Sequence, residues 1–240
     1  MATKKVIIIG ATSGIGRQLA ILYLVNGSTV GVTGRRKNFL EEIKNSYPQQ
    51  VHIAAFDVMG NENVSRLKDL IDEMGGMDIL IYNAGVGDVS ENLDPEIEDT
   101  TTRTNVSGFV EIVAFAFNYF AKKGKGQIAV ISSVGSLRGN SWAPAYSASK
   151  AFMSTYAEGL NMKAKRLKKD IIITDIKPGF LNTKPSKGNK RFWVASPVKA
   201  ARQIKNAIDH KKRKAYITKR WWLIAQIMKA VPYSLLRRFA

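Results

Sequence analysis

Tyr146 and Lys150 stand four residues apart in the run Tyr146-Ser147-Ala148-Ser149-Lys150, and Ser133 precedes the tyrosine by thirteen positions. On a helix, positions i and i+4 project from one face, so the phenol and the ammonium would share one environment. A free tyrosine has a pKa of about 10 and handles protons poorly at neutral pH, whereas a nearby cation favours the phenolate. The pairing therefore predicts a tyrosine whose pKa Lys150 draws down. Such a tyrosine could give up a proton as a general acid and take one back as a base. Ser133 falls just past an expected strand end, where α/β sheets carry their chemistry. A lone Tyr-x3-Lys pair is equally an ordinary helix face, and its weight depends on what else is in register.

A second group of residues suits a dinucleotide. Gly10-Ala11-Thr12-Ser13-Gly14-Ile15-Gly16 lies between an apolar run at 6–9 and a helical pattern reaching residue 25. Glycines there would let backbone N–H groups approach a pyrophosphate at the positive end of the helix. The plain alternative is a tight turn. At the end of the next strand-like run, enzymes that use NAD place an acid to hold the ribose hydroxyls, and an acid repels a 2′-phosphate. This chain reads Thr33-Gly34-Arg35-Arg36-Lys37 instead. Arg35 could pair with the phosphate through charge-assisted hydrogen bonds, with Arg36 beside it and Arg17 adding to the field. NADP(H) is thus the expected cofactor.

The elements that must position these groups alternate along the chain. Strand-like runs at about 6–9, 30–33, 51–56, 78–82, 127–132, 171–176 and 215–218 are separated by helical patterns. Helices are expected to residue 25, over 39–47 with Pro48 as a stop, over 64–74, over 95–122 with a break near 105–108, and over 145–168. Ser196-Pro197 is an N-cap and N1 pair opening a helix to about residue 210. Residues 182–196 read as a mobile loop, and no internal repeat appears. The pattern specifies a Rossmann-type, doubly wound parallel α/β sheet of about seven strands. One domain is expected over 1–240, with a core at 1–218 and a basic helical extension at 219–240.

With these residues in order, the chain resembles the short-chain dehydrogenase/reductase family over about residues 4–218. The family's loop reads Thr-Gly-x3-Gly-x-Gly, and here Ile9 stands in place of the threonine. Asn83-Ala84-Gly85 resembles its Asn-Asn-Ala-Gly motif, with Tyr82 replacing the first Asn. Ser133, Tyr146 and Lys150 match its catalytic Ser and Tyr-x3-Lys, and Asn105 matches its helix Asn. The resemblance implies that Ser133 orients the substrate oxygen, that Lys150 holds the nicotinamide ribose, and that Asn105 orders a water leading from Lys150. It implies that Asp57-Val58 holds the adenine. The segment Pro178-Gly179-Phe180-Leu181-Asn182-Thr183 would contact the nicotinamide, with Thr183 on its carboxamide. Homodimers or tetramers built on the helices after the fourth and fifth strands are also implied.

Composition narrows the rest. With 45% hydrophobic and 23% charged residues the chain is an ordinary globular protein. It has no cysteine and only two histidines, His52 and His210, which excludes disulfides and leaves little for a metal site or a Ser-His-Asp triad. No signal peptide and no membrane-spanning run is expected, and a cytoplasmic location follows. The net charge of +18 is lopsided: residues 161–240 hold 22 Lys and Arg against three Asp, whereas the first 160 residues sum to −1. Residues 219–240 mix Trp, aliphatic and basic side chains. That suits either a helix at an anionic membrane surface or one packed on its own domain or on a second subunit. No nucleic-acid reader motif accompanies the charge. Leu137, Trp142, Phe180, Phe192 and Trp193 are candidate pocket walls. The expected activity is NADPH-dependent oxidoreduction of a hydrophobic or lipid-like carbonyl or alcohol. Alternatives are a 3-oxoacyl carrier-protein reductase and a non-catalytic NADP-sensing module.

Overall fold

The computed structural model describes residues 3–180 and 193–237. Its strands are β1 (Lys5–Ile9), β2 (Thr29–Gly34), β3 (Val51–Ala55), β4 (Ile79–Tyr82), β5 (Lys125–Ile131), β6 (Asp170–Pro178) and β7 (Lys214–Ile217). Between and after them run α1 (Gly14–Val25), α2 (Lys37–Ser46), α3 (Asn63–Glu73), α4 (Pro95–Thr102), α5 (Gly108–Lys123), α6 (Pro144–Arg166), α7 (Pro197–Asp209), α8 (Arg220–Ala230) and α9 (Tyr233–Leu236). All six strand pairings are parallel, in the order β3-β2-β1-β4-β5-β6-β7.

Helices cover both faces of this sheet, so its central strands are nearly continuous apolar runs. In β1, Val6 and Ile8 point into one core with Leu19 and Tyr23 of α1 and Ala200 and Ile204 of α7. Ile7 and Ile9 point into the other, with Leu67 of α3, Phe109 and Ile112 of α5 and Met153 of α6. Strand order reverses on either side of β1, and the crevice outside the carboxyl ends of β1 and β4 is where such sheets bind ligands.

The break expected near residues 105–108 is instead a π-helical turn, Arg103–Ser107, joining α4 to α5 without interruption. The turn carries one extra residue and turns the Asn105 amide inward, where it is fully buried. Gly108 follows it because a Cβ there would strike the Val58 carbonyl. The α4 N-terminus is set by Asp94, whose carboxylate accepts from the N–H groups of Glu96 and Ile97 ahead of Pro95.

The C-terminal extension packs on its own chain. Trp221 and Ala225 of α8 are buried. Arg138, from the loop after β5, donates to the carbonyls of Met228 (2.7 Å), Lys229 (2.8 Å) and Val231 (2.8 Å), satisfying the end of α8. Trp222, Leu223 and Ile227 on the opposite face stay exposed. No helix among the described residues is long and apolar enough to cross a membrane.

Candidate active site

The glycine loop is shaped by backbone approach. Gly10 has φ +86°, and a Cβ there would lie 2.8 Å from the Ala84 backbone. A Cβ at Gly16 would collide with the Gly10 carbonyl, which accepts from Asn83 Nδ2 at 2.7 Å. Asn83 therefore ties the end of β4 to the loop, and its own N–H donates to Ile9 at 2.9 Å. Among the described residues no side chain caps α1, so its first N–H groups face outward beside Thr12, Ser13 and Gly14. Ile15, the next residue, is buried and anchors the first turn. This geometry fits a pyrophosphate at the helix N-terminus.

The arginines divide differently from the expectation. Arg36 donates to Thr12 Oγ1 at 2.8 Å and Ser13 Oγ at 2.9 Å, so its guanidinium lies over the phosphate loop. Arg35 pairs with Asp57 at 3.6 Å, joining the ends of β2 and β3. Asp57 also accepts from the Met59 N–H at 3.0 Å, and the neighbouring Val58 carbonyl accepts from Asn63 at 2.9 Å. Arg17 forms an ion pair with Glu42 at 2.8 Å, linking α1 to α2. No carboxylate occupies the end of β2, where the chain reads Gly34-Arg35-Arg36-Lys37.

The candidate proton-transfer groups sit beyond β5. Ser133 opens a short 3-10 turn, Val134–Leu137, and its hydroxyl accepts from the Gly135 N–H at 3.0 Å. Tyr146, which α6 brings across, lies beside it, and both side chains border Gly135. One turn further on, Lys150 is buried; its Nζ donates to the Ile131 carbonyl at 3.0 Å and lies 5.8 Å from the Tyr146 ring centroid. Asn105 donates to the Val86 carbonyl at 2.7 Å and to Ser149 Oγ at 3.0 Å, and accepts from the Val86 N–H at 3.0 Å. With every polar atom engaged, Asn105 is pinned, because each bond broken there would strand a buried partner at a cost of about 1–3 kcal/mol. Its side-chain oxygen and Lys150 Nζ both border Gly85, where a Cβ would meet them at 3.2 Å and 3.0 Å. Ser133, Tyr146, Lys150 and Asn105 are thus brought together as expected.

The electrostatics correct one expectation. Tyr146 is raised above the ordinary tyrosine value, not lowered: burial dominates, and the neighbouring Ser133 hydroxyl offsets it only in part. Lys150 donates to the Ile131 carbonyl and is itself lowered to about 8 by burial, with buried Asp175 pulling the other way.

Several participants carried no sequence signal. Gly87 lies against the Tyr146 ring, so close that a Cβ would overlap it. Asp175 of β6 accepts from Ser132 (2.5 Å) and Ser154 (2.7 Å) and pairs with Lys177 at 3.1 Å, all behind the Ser133 turn. Pro178 ends β6 and Gly179 donates to the Ile217 carbonyl at 2.6 Å, with the Trp221 indole lying directly on Gly179. Phe180 and Trp193 stand edge-on to that indole at 5.2 Å and 6.4 Å. Leu137 belongs to the 3-10 turn and Trp142 sits exposed on the rim. Thr183 and Phe192, and most of the expected mobile loop, lie outside the described residues.

The model of the short chain dehydrogenase family matches residues 4–192 of this sequence. The chain belongs to that family. It is an oxidoreductase of a group that binds nicotinamide cofactors, and the glycine loop, Asn83 and Lys150 fit such a ligand. An uncharacterized oxidoreductase of Mycobacterium tuberculosis is 28% identical over 250 residues, spanning 99% of this chain and 97% of its own. The 11-beta-hydroxysteroid dehydrogenase A of Sesamum indicum is 32% identical over 210 residues, spanning 81% of this chain and 57% of its own. Among solved structures, a short-chain dehydrogenase from Streptomyces avermitilis superposes with a TM-score of 0.84 at 23% identity, over 99% of this chain and 95% of that one.

Proposed function

We propose that this family member is an NADPH-dependent carbonyl reductase, acting in reverse as an alcohol dehydrogenase, on a hydrophobic, lipid-like substrate. The observation that carries the reading is the Tyr146 ring set beside the Ser133 hydroxyl at the carboxyl edge of the sheet, with Lys150 one helical turn behind it. The cofactor supplies the hydride to the carbonyl carbon. Tyr146 gives its proton to the carbonyl oxygen, so the C=O becomes CH–OH and the phenol becomes phenolate. Burial keeps that phenol protonated at neutral pH, which suits a donor. Ser133 donates to the same oxygen and fixes its place. Lys150, charged below about pH 8, steadies the phenolate and holds the ribose hydroxyls.

The preference for NADPH is supported by Arg35 and Arg36 at the end of β2 with no acid among them. A lipid-like substrate is supported by the aromatic cover of Phe180, Trp193 and Trp221, and by the steroid-named relative. Homodimerisation through α5 and α6 is supported by half-exposed Phe152, stacked on Tyr156 of α6. Light scattering of wild type and Phe152→Glu tests that assembly: the dimer should become a monomer.

The activity is tested by following NADPH and NADH oxidation against apolar ketones and aldehydes, for wild type and Tyr146→Phe. NADPH should be preferred and the variant nearly inactive. Equal rates for the two proteins would remove Tyr146 as proton donor, and faster NADH turnover would reverse the cofactor assignment.

A further inference from the structure

We propose that the edge formed by α7, β7 and α8 docks on an anionic phospholipid surface. The cleft between these elements takes lipid phosphate, and the outer face of α8 rests among the acyl chains. This site lies outside the catalytic groups, and the inference stands whatever the substrate is.

The cleft encloses about 530 Å³ and is lined by Arg202, Lys212, Lys214 and Lys219, with no Asp or Glu among its lining residues. Neighbouring cations are neutralised: Lys205 pairs with Asp209 at 2.7 Å and Lys211 with Asp170 at 3.6 Å. Among the described residues, none of the four lining cations pairs with a carboxylate. Like charges gathered without counter-charge repel one another, and an arriving anion relieves them.

The apolar side supplies the second half of the argument. Trp222 lines the cleft and also stands 55% exposed on α8. At 3.6 residues per turn, Trp222, Leu223 and Ile227 fall within about 140° of arc, and the exposed side chains bounding that arc are Arg220 and Lys229. Tyr233 and Leu235 of α9 are exposed as well. An apolar stripe with an interfacial Trp and basic flanks is the arrangement that lies in the headgroup layer of an anionic bilayer. A soluble phosphate would use the cations and leave the stripe unexplained. A twofold contact would have to bring one basic patch against another.

The test is sedimentation of the full chain with vesicles of phosphatidylcholine alone and of phosphatidylcholine mixed with phosphatidylglycerol. Binding should require phosphatidylglycerol and weaken with added salt. Replacing Lys212, Lys214 and Lys219 by Gln should cost about fivefold in partitioning for each lysine removed. Trp222→Ser should cost at least tenfold. Unchanged melting temperatures and NADPH oxidation rates would show both variants folded. In vesicles of brominated lipid, wild-type fluorescence should be quenched and Trp222→Phe should lose most of that quenching. The proposal is overturned if phosphatidylglycerol makes no difference, or if the folded variants bind as wild type does. It is also overturned if inorganic phosphate alone raises the melting temperature as much as the vesicles do, which would mark a small-anion site. Conversion of a dimer to a monomer by Trp222→Ser would overturn it in favour of a second copy.

Discussion

Gly87 lies flat against the ring of Tyr146: a Cβ added at residue 87 would come within 2.6 Å of Cε2 and closer still to Cδ2. The backbone at the end of the β4 loop therefore acts as a plate that sets the angle of the phenol. Gly87→Ala should push the ring out of line with Ser133 and lower kcat about 10- to 100-fold, because small misplacements of a reacting group cost that much. KM for NADPH should hardly change. Tyr146→Phe, which keeps the ring and deletes the proton, should cost about 10²- to 10⁴-fold. Steady-state kinetics of the two variants side by side would show whether Gly87 acts through position; a raised cofactor KM in Gly87→Ala would argue against it.

Arg36, rather than Arg35, reaches the phosphate loop, through Thr12 and Ser13. Charge-assisted hydrogen bonds to an anion are worth about 1.5–3 kcal/mol. Arg36→Ala should therefore raise KM for NADPH at least tenfold and leave the weaker NADH reaction nearly unchanged. A matching loss with both cofactors would mean that Arg36 only braces the loop.

Lys150 carries a stability cost with a pH signature. Its folded pKa is lowered to about 8, against 10.5 for an ordinary lysine. Below pH 8 both folded and unfolded chains hold the proton, so the full cost of burying the charge is present. Between pH 8 and 10.5 the unfolded chain binds more protons, and folding stability from this residue rises by about 3 kcal/mol across the window. Lys150→Met should abolish turnover yet raise the unfolding midpoint at pH 7, even though the Ile131 carbonyl loses its donor. The advantage should shrink toward pH 10.5. Denaturant unfolding at several pH values is the check, and a pH-independent difference would sink it. In wild type, carbonyl reduction should decline above about pH 8 as the ammonium is lost.

Asp175 and Lys177 are buried together at 3% and 1% exposure, 3.1 Å apart. Removing one partner strands the other, at a cost of about 3–5 kcal/mol. Asp175→Asn should lose stability on that scale in urea, while Asp175→Leu combined with Lys177→Met should recover most of it. Failure of the double variant to recover would show that Ser132 and Ser154 depend on the carboxylate as strongly as Lys177 does.

Much of this was legible before any coordinates. The seven strands fall where apolar runs and turn residues place them, and Ser196 caps α7 by accepting from the Lys199 N–H at 3.3 Å. Tyr146, Lys150, Ser133 and Asn105 converge because helix period and strand ends are local rules. What escaped the sequence depends on distant partners. The polar residues at 175 and 177 give no sign in β6 that they are buried, since their partners lie in the Ser133 turn and in α6. Gly87 was one of 19 glycines until a ring was seen beside it. Helical spacing locates Lys150 beside Tyr146 but not the depth at which the phenol is buried, and burial sets the direction of its shift. The tail was readable as amphipathic, yet only Trp221 against Gly179 showed which side faces inward.

The family match ends at residue 192, whereas the indole that roofs Gly179 comes from residue 221. Proton transfer and the enclosure around it are therefore written in separate stretches of the chain. A hybrid that kept residues 1–192 and borrowed its ending from a relative would exchange the roof and leave the phenol, hydroxyl and ammonium where they are. Such an exchange would change what covers Gly179 and leave the groups around Tyr146 in the stretch that matches the family.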